Sequence, residues 1–416
     1  MPMTLDPCAK PGLIHPDEAI PLLLSQVSAL DDSEMVRLAE ALDRVLAEDL
    51  ASGLDLPPFD NSAMDGYAFR FDELNGQESG SFKLAGQAFA GHPFKGELPP
   101  GHCVRIMTGA PVPAACDTVQ MQEQTQVQGD AILIQAPKGK GANVRRRGEE
   151  LKAGTRVLTA GTRIRAAELG VIATIGISQL RVVRRPVVAF FSTGDELRPV
   201  GSELAPGQIY DSNRYSILGL LQKAGVEWLD LGVIPDDPEA LRQAFRTAAA
   251  KADMVLTSGG VSVGEADYTK QILEQEGQIH FWKLAIKPGK PFAFGRIGKA
   301  LFCGLPGNPV SSMVTFHKLV WPMLLKLQGQ AQSQPLMLAA ALSTAVRKQP
   351  GRVEYQRGIL SRNAEGALEV ALTGSQGSGM LTSMSLANCF ILLDQYQGDL
   401  QVGETVMVEP FHGALA

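Results

Sequence analysis

The apolar positions change their spacing along the chain, and each spacing predicts a different kind of element. From about Val182 to Gly329, strand-like and helix-like runs alternate. "VVAFFS" is a β-branched, aromatic strand. "NRYSILGLLQKAG" is a helix stopped by Gly225, the residue type favoured just past a helix end. "VEWLDLGVI" reads as a strand and "PEALRQAFRTAAAKA" as a helix with Leu241, Ala244, Phe245 and Ala248 on one face. "DMVLTS", the helix "DYTKQILEQEG", the strand "ALFCGL" and the long helix "PVSSMVTFHKLVWPMLLKL" follow. Such alternation predicts a largely parallel sheet with helices on both faces. Two other regions carry short β-rich pieces broken by Gly and Pro, each read as a small β domain. One holds "HCVRIMTGA", "CDTVQMQEQTQVQ" and "AILIQAP"; the other, after about Gln330, holds "GRVEYQRGIL", "ALEVALTG", "NCFILLDQ" and "ETVMVEPF". Helical stretches are expected between Pro16 and Leu50, clearest in "ALDRVLAEDL", and again in "RIRAAELGVIATIG". "LDLPPFDNSAMDGYAF" and the basic "KGKGANVRRRGEE" read as connectors.

Length and charge narrow the function. A chain of 416 residues is too long for one core and is expected to form about two to four domains. A net charge of −6 argues against a broad nucleic-acid surface while leaving room for a local anion pocket. The five cysteines are an odd number without a CxxC pair, and the six histidines are scattered, so neither a disulfide framework nor a structural zinc site is expected. The start, with its acids and prolines, does not read as a signal peptide, and no run approaches the roughly 20 apolar residues of a membrane span. A cytoplasmic protein is expected.

In parallel α/β sheets, ligands bind outside the C-terminal strand ends. Here those ends carry "STGDE", "PDD", "SGGVSVGEAD" and "GLPGNPVSS". Gly259, Gly260 and Gly264 permit close backbone approach, and the helix that follows aims free N–H groups into the same space. Ser262 adds a hydroxyl. Glu265 and Asp267 suit a phosphate neutralised by Mg²⁺, although one of them can serve simply as the helix cap. "FSTGDEL" offers Asp195 and Glu196 beside a glycine turn. In "VIPDDPEAL", Asp237 before Pro238 takes the helix cap and leaves Asp236 as either a metal carboxylate or a solvated acid. "FWKLAIKPGKPFAFG" holds Lys283, Lys287 and Lys290 about a proline-stiffened turn, which suits a compact oxyanion or phosphate. "GLPGNPVSS" puts Pro306 and Pro309 at a strand-to-helix turn, with Ser311 in the first helical turn and Asn308 as the expected cap. On local text alone, "FDNSA", "MDGY" and "RIMTGAP" are turns, and "VRRRGEE" is a solvated charged face. No nucleophile stands beside a base, so the chemistry implied is electrostatic, with cations and N–H groups around phosphate and oxyanion.

"FDNSAMDGYA", "RIMTGAP", "RRRGE", "FSTGDEL", "SGGVSVGEADYTK", "KPGKPFAFG" and "GLPGNPVS" occur in one order along nearly the whole chain. Together they resemble the MoeA family of molybdopterin molybdenumtransferases, similar to the E domain of gephyrin and its plant counterpart. The resemblance implies insertion of molybdate into adenylyl-molybdopterin, with Mg²⁺ and release of AMP, by an elongated homodimer in the cytoplasm. It implies a multidomain α/β fold. The parts are an extended helical, dimerising segment (residues 1–52 and 144–181), a small β-rich domain (53–143), a MoaB/MogA-like molybdopterin-binding α/β domain (182–331) and a C-terminal β-barrel-like domain (332–416). The active site would lie between the α/β domain of one subunit and β domains of the other, which gives Asp65 and Thr108 a place in the cleft. Glu196, Asp236 and Asp267 resemble the acidic set around nucleotide and Mg²⁺, and Lys283 and Lys287 match catalytic-site lysines. Lys287, Lys290, Ser311, Arg357 and Ser378 match positions associated with molybdate. Where the family commonly reads RRRGED, this chain has Glu150. The implied partners are a second copy, the molybdopterin adenylyltransferase and other proteins of cofactor synthesis, with neither nucleic acid nor membrane.

Two further readings share these residues. Adenylyl transfer from ATP to molybdopterin would use the same "SGG" crevice; the flanking domains and the "KPGKP" loop favour insertion. A non-enzymatic dimeric scaffold is the other.

Overall fold

The alternating region builds one six-stranded sheet in a computed structural model that describes residues 13–260, 268–330, 334–411 and 415. Across the sheet the strands run Glu227–Ile234, Val187–Thr193, Met254–Ser258, Ala300–Leu305, Pro291–Ile297 and Gly277–Lys283. The first four are mutually parallel, with Val188 opposite Met254 and Met254 opposite Leu301. The last two form an antiparallel edge, so Gly277–Lys283 is a strand that the lysine-rich turn had masked in the sequence.

Period-two alternation divides the core. Val188, Phe190, Met254, Leu256, Cys303 and Leu305 face one way and pack with Ile217, Leu221, Val310 and Val314. Ala189, Phe191, Val255 and Phe302 face the other way and pack with Leu241, Phe245 and Leu273. The helix Ser212–Ala224 ends on Gly225 at φ 70°, and Asp237 caps Pro238–Lys251 by accepting from the N–H groups of Glu239 and Ala240. The long final helix is continuous but widens into a π turn at Phe316–Val320, between Pro309–Thr315 and Trp321–Leu327. Pro322 has no N–H for a regular helical bond, and a locally wider turn accommodates that loss.

In the small β domain the sheet order is Thr118–Met121, Gly66–Phe69, His102–Ile106, Ser79–Ala88, Ala131–Gln135 and Thr125–Gln128. The C-terminal strands close a barrel, because Val353–Arg362 pairs with both Leu368–Leu372 and Cys389–Leu393. Leu338–Leu342 and Thr405–Pro410 complete it. The short strand Ile286–Lys287 pairs with Val353–Glu354 and ties the "KPGKP" turn to the barrel.

The helix expected over "ALDRVLAEDL" is not formed. Asp43 has φ 62°, Val45 bridges Arg163 and Leu46 bridges Val182. Val45 and Leu46 are both buried, and Leu46 and Leu50 pack with Ile164, Ile172, Leu180 and Val182, so pairing with a distant strand overrides helix propensity. The extended segment holds the helices Pro16–Ser25 and Ala166–Thr174 and, otherwise, short ribbons. In these, Ser33–Arg37 pairs with Gln179–Val183 and Leu50–Ala51 with Arg156–Leu158. Ala19 and Leu23 of the first helix lie in the core of the α/β unit.

Candidate active site

Because four strands run in parallel, the turns after Thr193, Ile234, Ser258 and Leu305 emerge on one edge. Gly259 has φ 92° and donates its N–H to Leu305 O at 3.1 Å. A Cβ there would stand 2.6 Å from Thr193 O, so only glycine lets this turn press on its neighbour. Gly260 continues at φ 65°. Ser262, Gly264, Glu265 and Asp267 lie outside the described residues.

The acids gather at two adjacent strand ends. At Gly194 the backbone takes φ 145°, and the Glu196 carboxylate folds back over it, 2.5 Å from where a Cβ would be. Asp236 donates its backbone N–H to Asp195 Oδ1 at 3.2 Å. Burial, followed by the charges of Asp195 and Glu196, raises the Asp236 carboxyl above the usual range. Asp237 is occupied as a cap, and Asp236 faces this negative field. Among the described residues, no three His, Cys, Asp or Glu side chains form a metal-binding group by themselves. Mg²⁺ takes few protein carboxylates and completes its shell with water and substrate phosphate, and the charge repulsion at Asp236 is of the kind that such a cation relieves.

A buried cation lies near the start of the final helix. Arg357 is 1% exposed, with Nε donating to Ser383 Oγ at 2.9 Å and Nη2 to Gly377 O at 3.1 Å. Among the described residues it forms no ion pair, and burial alone pushes its guanidinium down to about 10. The loop it holds reaches the final helix, where Val310 N–H donates to Ser378 O at 3.0 Å. Pro309, Ser311, Ser378 and Arg357 are thereby brought to one place, with Ser311 and Arg357 buried. Pro306 is buried in the preceding turn. Asn308 stands at the helix cap, but its side chain makes no capping bond.

The lysines are more dispersed. Lys283 and Lys290 are exposed at the ends of the hairpin, and Leu284 N–H donates to Lys290 O at 2.7 Å. Gly289, at φ 110°, presses the turn against the final helix, where a Cβ would meet Thr315 Oγ1 at 2.5 Å. Lys287 Nζ donates to the buried Glu354 carboxylate at 3.1 Å. Glu354 and Arg357 project from opposite faces of their strand, so Lys287 is paired on the face away from the guanidinium. There it borders a cavity of about 770 Å³ with Arg347, Lys348, Arg352, Glu354 and Asp399. These charges are dispersed over three stretches of sequence, and no single motif marks them.

Asp65 and Thr108 meet within the small β domain. Asp65 Oδ1 accepts from Thr108 N–H and from Thr108 Oγ1, both at 2.7 Å. These two bonds, backbone first, hold the carboxyl below its usual range. Among the described residues, no hydrogen bond or ion pair joins either of them to the acids or lysines above. The arginine run is an exposed charged face, as expected, and its arginines are tied to acids from a distant stretch. Arg146 Nη1 donates to Asp60 Oδ2 at 2.7 Å, Arg147 N–H to Asp60 Oδ1 at 2.8 Å and Arg147 Nε to Asp55 Oδ2 at 2.6 Å. Asn213, which bonds to two turns of the crevice at once, was not legible as a site residue; "DSN" ahead of a helix reads as capping.

Comparison with known proteins agrees along the chain. Residues 14–176 match the MoeA N-terminal region (domains I and II), 189–326 a probable molybdopterin binding domain, and 339–411 the MoeA C-terminal region (domain IV). A molybdopterin molybdenumtransferase of Haemophilus influenzae is 46% identical over 96% of this chain and 99% of its own length. One from Nostoc is 37% identical over 93% of this chain and 90% of its own. The crystal structure of a molybdopterin biosynthesis moeA protein from Pyrococcus horikoshii OT3 superposes with a TM-score of 0.83 at 30% identity, over 96% of this chain and all of that one. With both β domains, the α/β crevice and the connecting segment matched in order, the chain belongs to the MoeA family.

Proposed function

We propose that this protein is a molybdopterin molybdenumtransferase that inserts molybdate into adenylyl-molybdopterin with release of AMP. The observation that carries the reading is the buried Arg357, a cation without a carboxylate partner among the described residues, held beside the start of the final helix. Burying such a charge is unfavourable unless an anion compensates it, and a tetrahedral oxyanion suits a planar guanidinium flanked by hydroxyls and a helix N-terminus.

The phosphate end of the substrate lies over the Gly259–Gly260 turn, and Ser262 and Gly264, outside the described residues, are assigned to the same phosphate. Glu196, Asp236 and Asp267 hold Mg²⁺, which when bound neutralises phosphate charge. Lys290, Ser311, Arg357 and Ser378 bind molybdate, while Lys283 and Lys287 supply positive charge near the transferred group. Lys287 does so by leaving Glu354. Asp65 and Thr108 complete the cleft from a second subunit, so the working form is a homodimer. The adenylyltransferase that makes the substrate is a partner, and the reaction is placed in the cytoplasm. No helix among the described residues is long and apolar enough to cross a membrane.

The test is incubation with adenylyl-molybdopterin and Mg²⁺, with and without molybdate. AMP release that depends on molybdate supports insertion. Consumption of ATP with free molybdopterin would support adenylyl transfer instead, and neither reaction would leave a scaffold. For the shared cleft, mixing Asp65→Asn and Asp236→Asn subunits restores partial activity, because one cleft of each mixed dimer carries neither lesion. Demonstrated subunit exchange without recovery overturns that arrangement.

A further inference from the structure

The two turns that would hold the phosphate and lead to the oxyanion site come from adjacent strands, and beyond the backbone bond from Gly259 N–H to Leu305 O one side chain joins them. Asn213, in the first turn of the helix Ser212–Ala224, is 8% exposed. Its Nδ2 donates one hydrogen to Ser258 Oγ and the other to Gly307 O, both at 2.7 Å. The amide orientation follows from chemistry, since a backbone carbonyl only accepts and the nitrogen must face it. The helix is itself fixed by Asp211, which is 2% exposed and accepts from Arg214 N–H at 3.1 Å. Ser258 ends its strand directly before Gly259 and Gly260, while Gly307 precedes Asn308 and the helix start that meets Ser378. The Asn213 Oδ1 atom is buried with no partner among the described residues, so burying this amide is offset only by the two bonds on its nitrogen.

We infer that Asn213 is a positioning residue that sets the register between the phosphate turn and the oxyanion turn. It touches neither substrate. Each turn has its own backbone supports, so each can bind its ligand without the bridge. The strand ladder already sets Ser258 beside Leu305, with Gly259 N–H on Leu305 O; the bridge extends that placement to Gly307, where the oxyanion turn leaves the strand, and the rate of a reaction between two held groups falls steeply with misplacement. The inference rests on the proposed transferase reading.

The experiment compares wild type with Asn213→Ala, Asn213→Asp and Ser258→Ala. It measures kcat for molybdate-dependent AMP release, AMP affinity by equilibrium dialysis, the molybdate requirement and the thermal midpoint. Asn213→Ala breaks both arms and is expected to lower kcat by about 10- to 100-fold, with AMP affinity and molybdate requirement within about threefold. Asn213→Asp cannot donate to Gly307 O, and Ser258→Ala removes only the other arm. Ser258→Ala gives a smaller loss than Asn213→Ala, whereas Asn213→Asp, which turns a buried carboxylate toward the Gly307 carbonyl, gives a loss at least as large. An unchanged kcat in Asn213→Ala overturns the inference. So does a loss of AMP or molybdate affinity as large as the loss of kcat, which would mean that Asn213 builds a subsite. A wild-type protein that binds AMP but releases none from adenylyl-molybdopterin refutes the transferase reading, and the inference falls with it.

Discussion

Replacing Arg357 with Met separates what this side chain does for the fold from what it does for an anion. Burial alone pushes its guanidinium down from the ordinary arginine range to about 10. At roughly 1.4 kcal/mol per pH unit, that difference corresponds to at most about 3–4 kcal/mol against the charged form in the folded state. A depressed folded value means that the unfolded chain binds more protons only between about pH 10 and the ordinary range, so at neutral pH the penalty is present in full. Two hydrogen bonds, to Ser383 Oγ and Gly377 O, offset it, each by about 1.5–3 kcal/mol for a charged donor. The fold therefore gains little net stability from Arg357, and an unbranched apolar side chain of similar reach should leave the thermal midpoint within a few degrees. Binding is different. Loss of one charge-assisted contact, again about 1.5–3 kcal/mol, should raise the molybdate requirement roughly 10- to 150-fold. Arg357→Lys keeps the charge without the planar fork and should fall between. The assay is a molybdate titration of AMP release at fixed adenylyl-molybdopterin, with thermal denaturation in parallel. An unchanged molybdate requirement in Arg357→Met would refute the reasoning, most clearly if the midpoint also fell sharply, since Arg357 would then be a structural clamp on the loop 377–383.

Other consequences are equally direct. Asp236 is raised by burial and by Asp195 and Glu196, so its ionisation disfavours the fold as pH rises through the folded value; Mg²⁺ should raise the thermal midpoint more at pH 7 than at pH 4, and Asp236→Asn should shrink that gain. Gly259→Ala forces a Cβ to within 2.6 Å of Thr193 O at φ 92° and should abolish AMP binding in dialysis while the far-UV circular dichroism remains. Asp253 is raised by burial, but the paired bonds from Arg184 and the Val187 N–H outweigh that and leave it lowered. Its stabilisation should be full above the ordinary carboxylate range and fade as pH falls through the lower folded value, and Asp253→Asn should cost about 1–3 kcal/mol in denaturant titration at pH 7.

The α/β unit was legible because its signals are local. Apolar runs of strand length, the Asp237–Pro238 cap and Gly225 each act within a few residues, and all appear where the sequence puts them. Strand-end turns could be gathered into one crevice because parallel topology forces them to one edge. What failed depends on distant partners. Leu46 looks helical until Val182 pairs with it, and the acid that pairs with the exposed Arg146, Asp60, lies 86 residues away. Arg357 and Lys287 both match oxyanion positions by motif, yet only the strand's alternation shows that Lys287 is paired on the opposite face, with Glu354. Asn213 was missed for the same reason, since both of its acceptors lie across the sheet.

The central claim is that the metal oxyanion is transferred to the pterin in the event that releases AMP. The most direct measurement follows both products of one reaction, AMP by chromatography and pterin-bound molybdenum by mass spectrometry, starting from adenylyl-molybdopterin, molybdate and Mg²⁺. The two should appear together in equal amounts, and neither should appear without molybdate. Release of AMP at the same rate without molybdate, or with no molybdenum on the pterin, would contradict the claim and leave a hydrolase in its place.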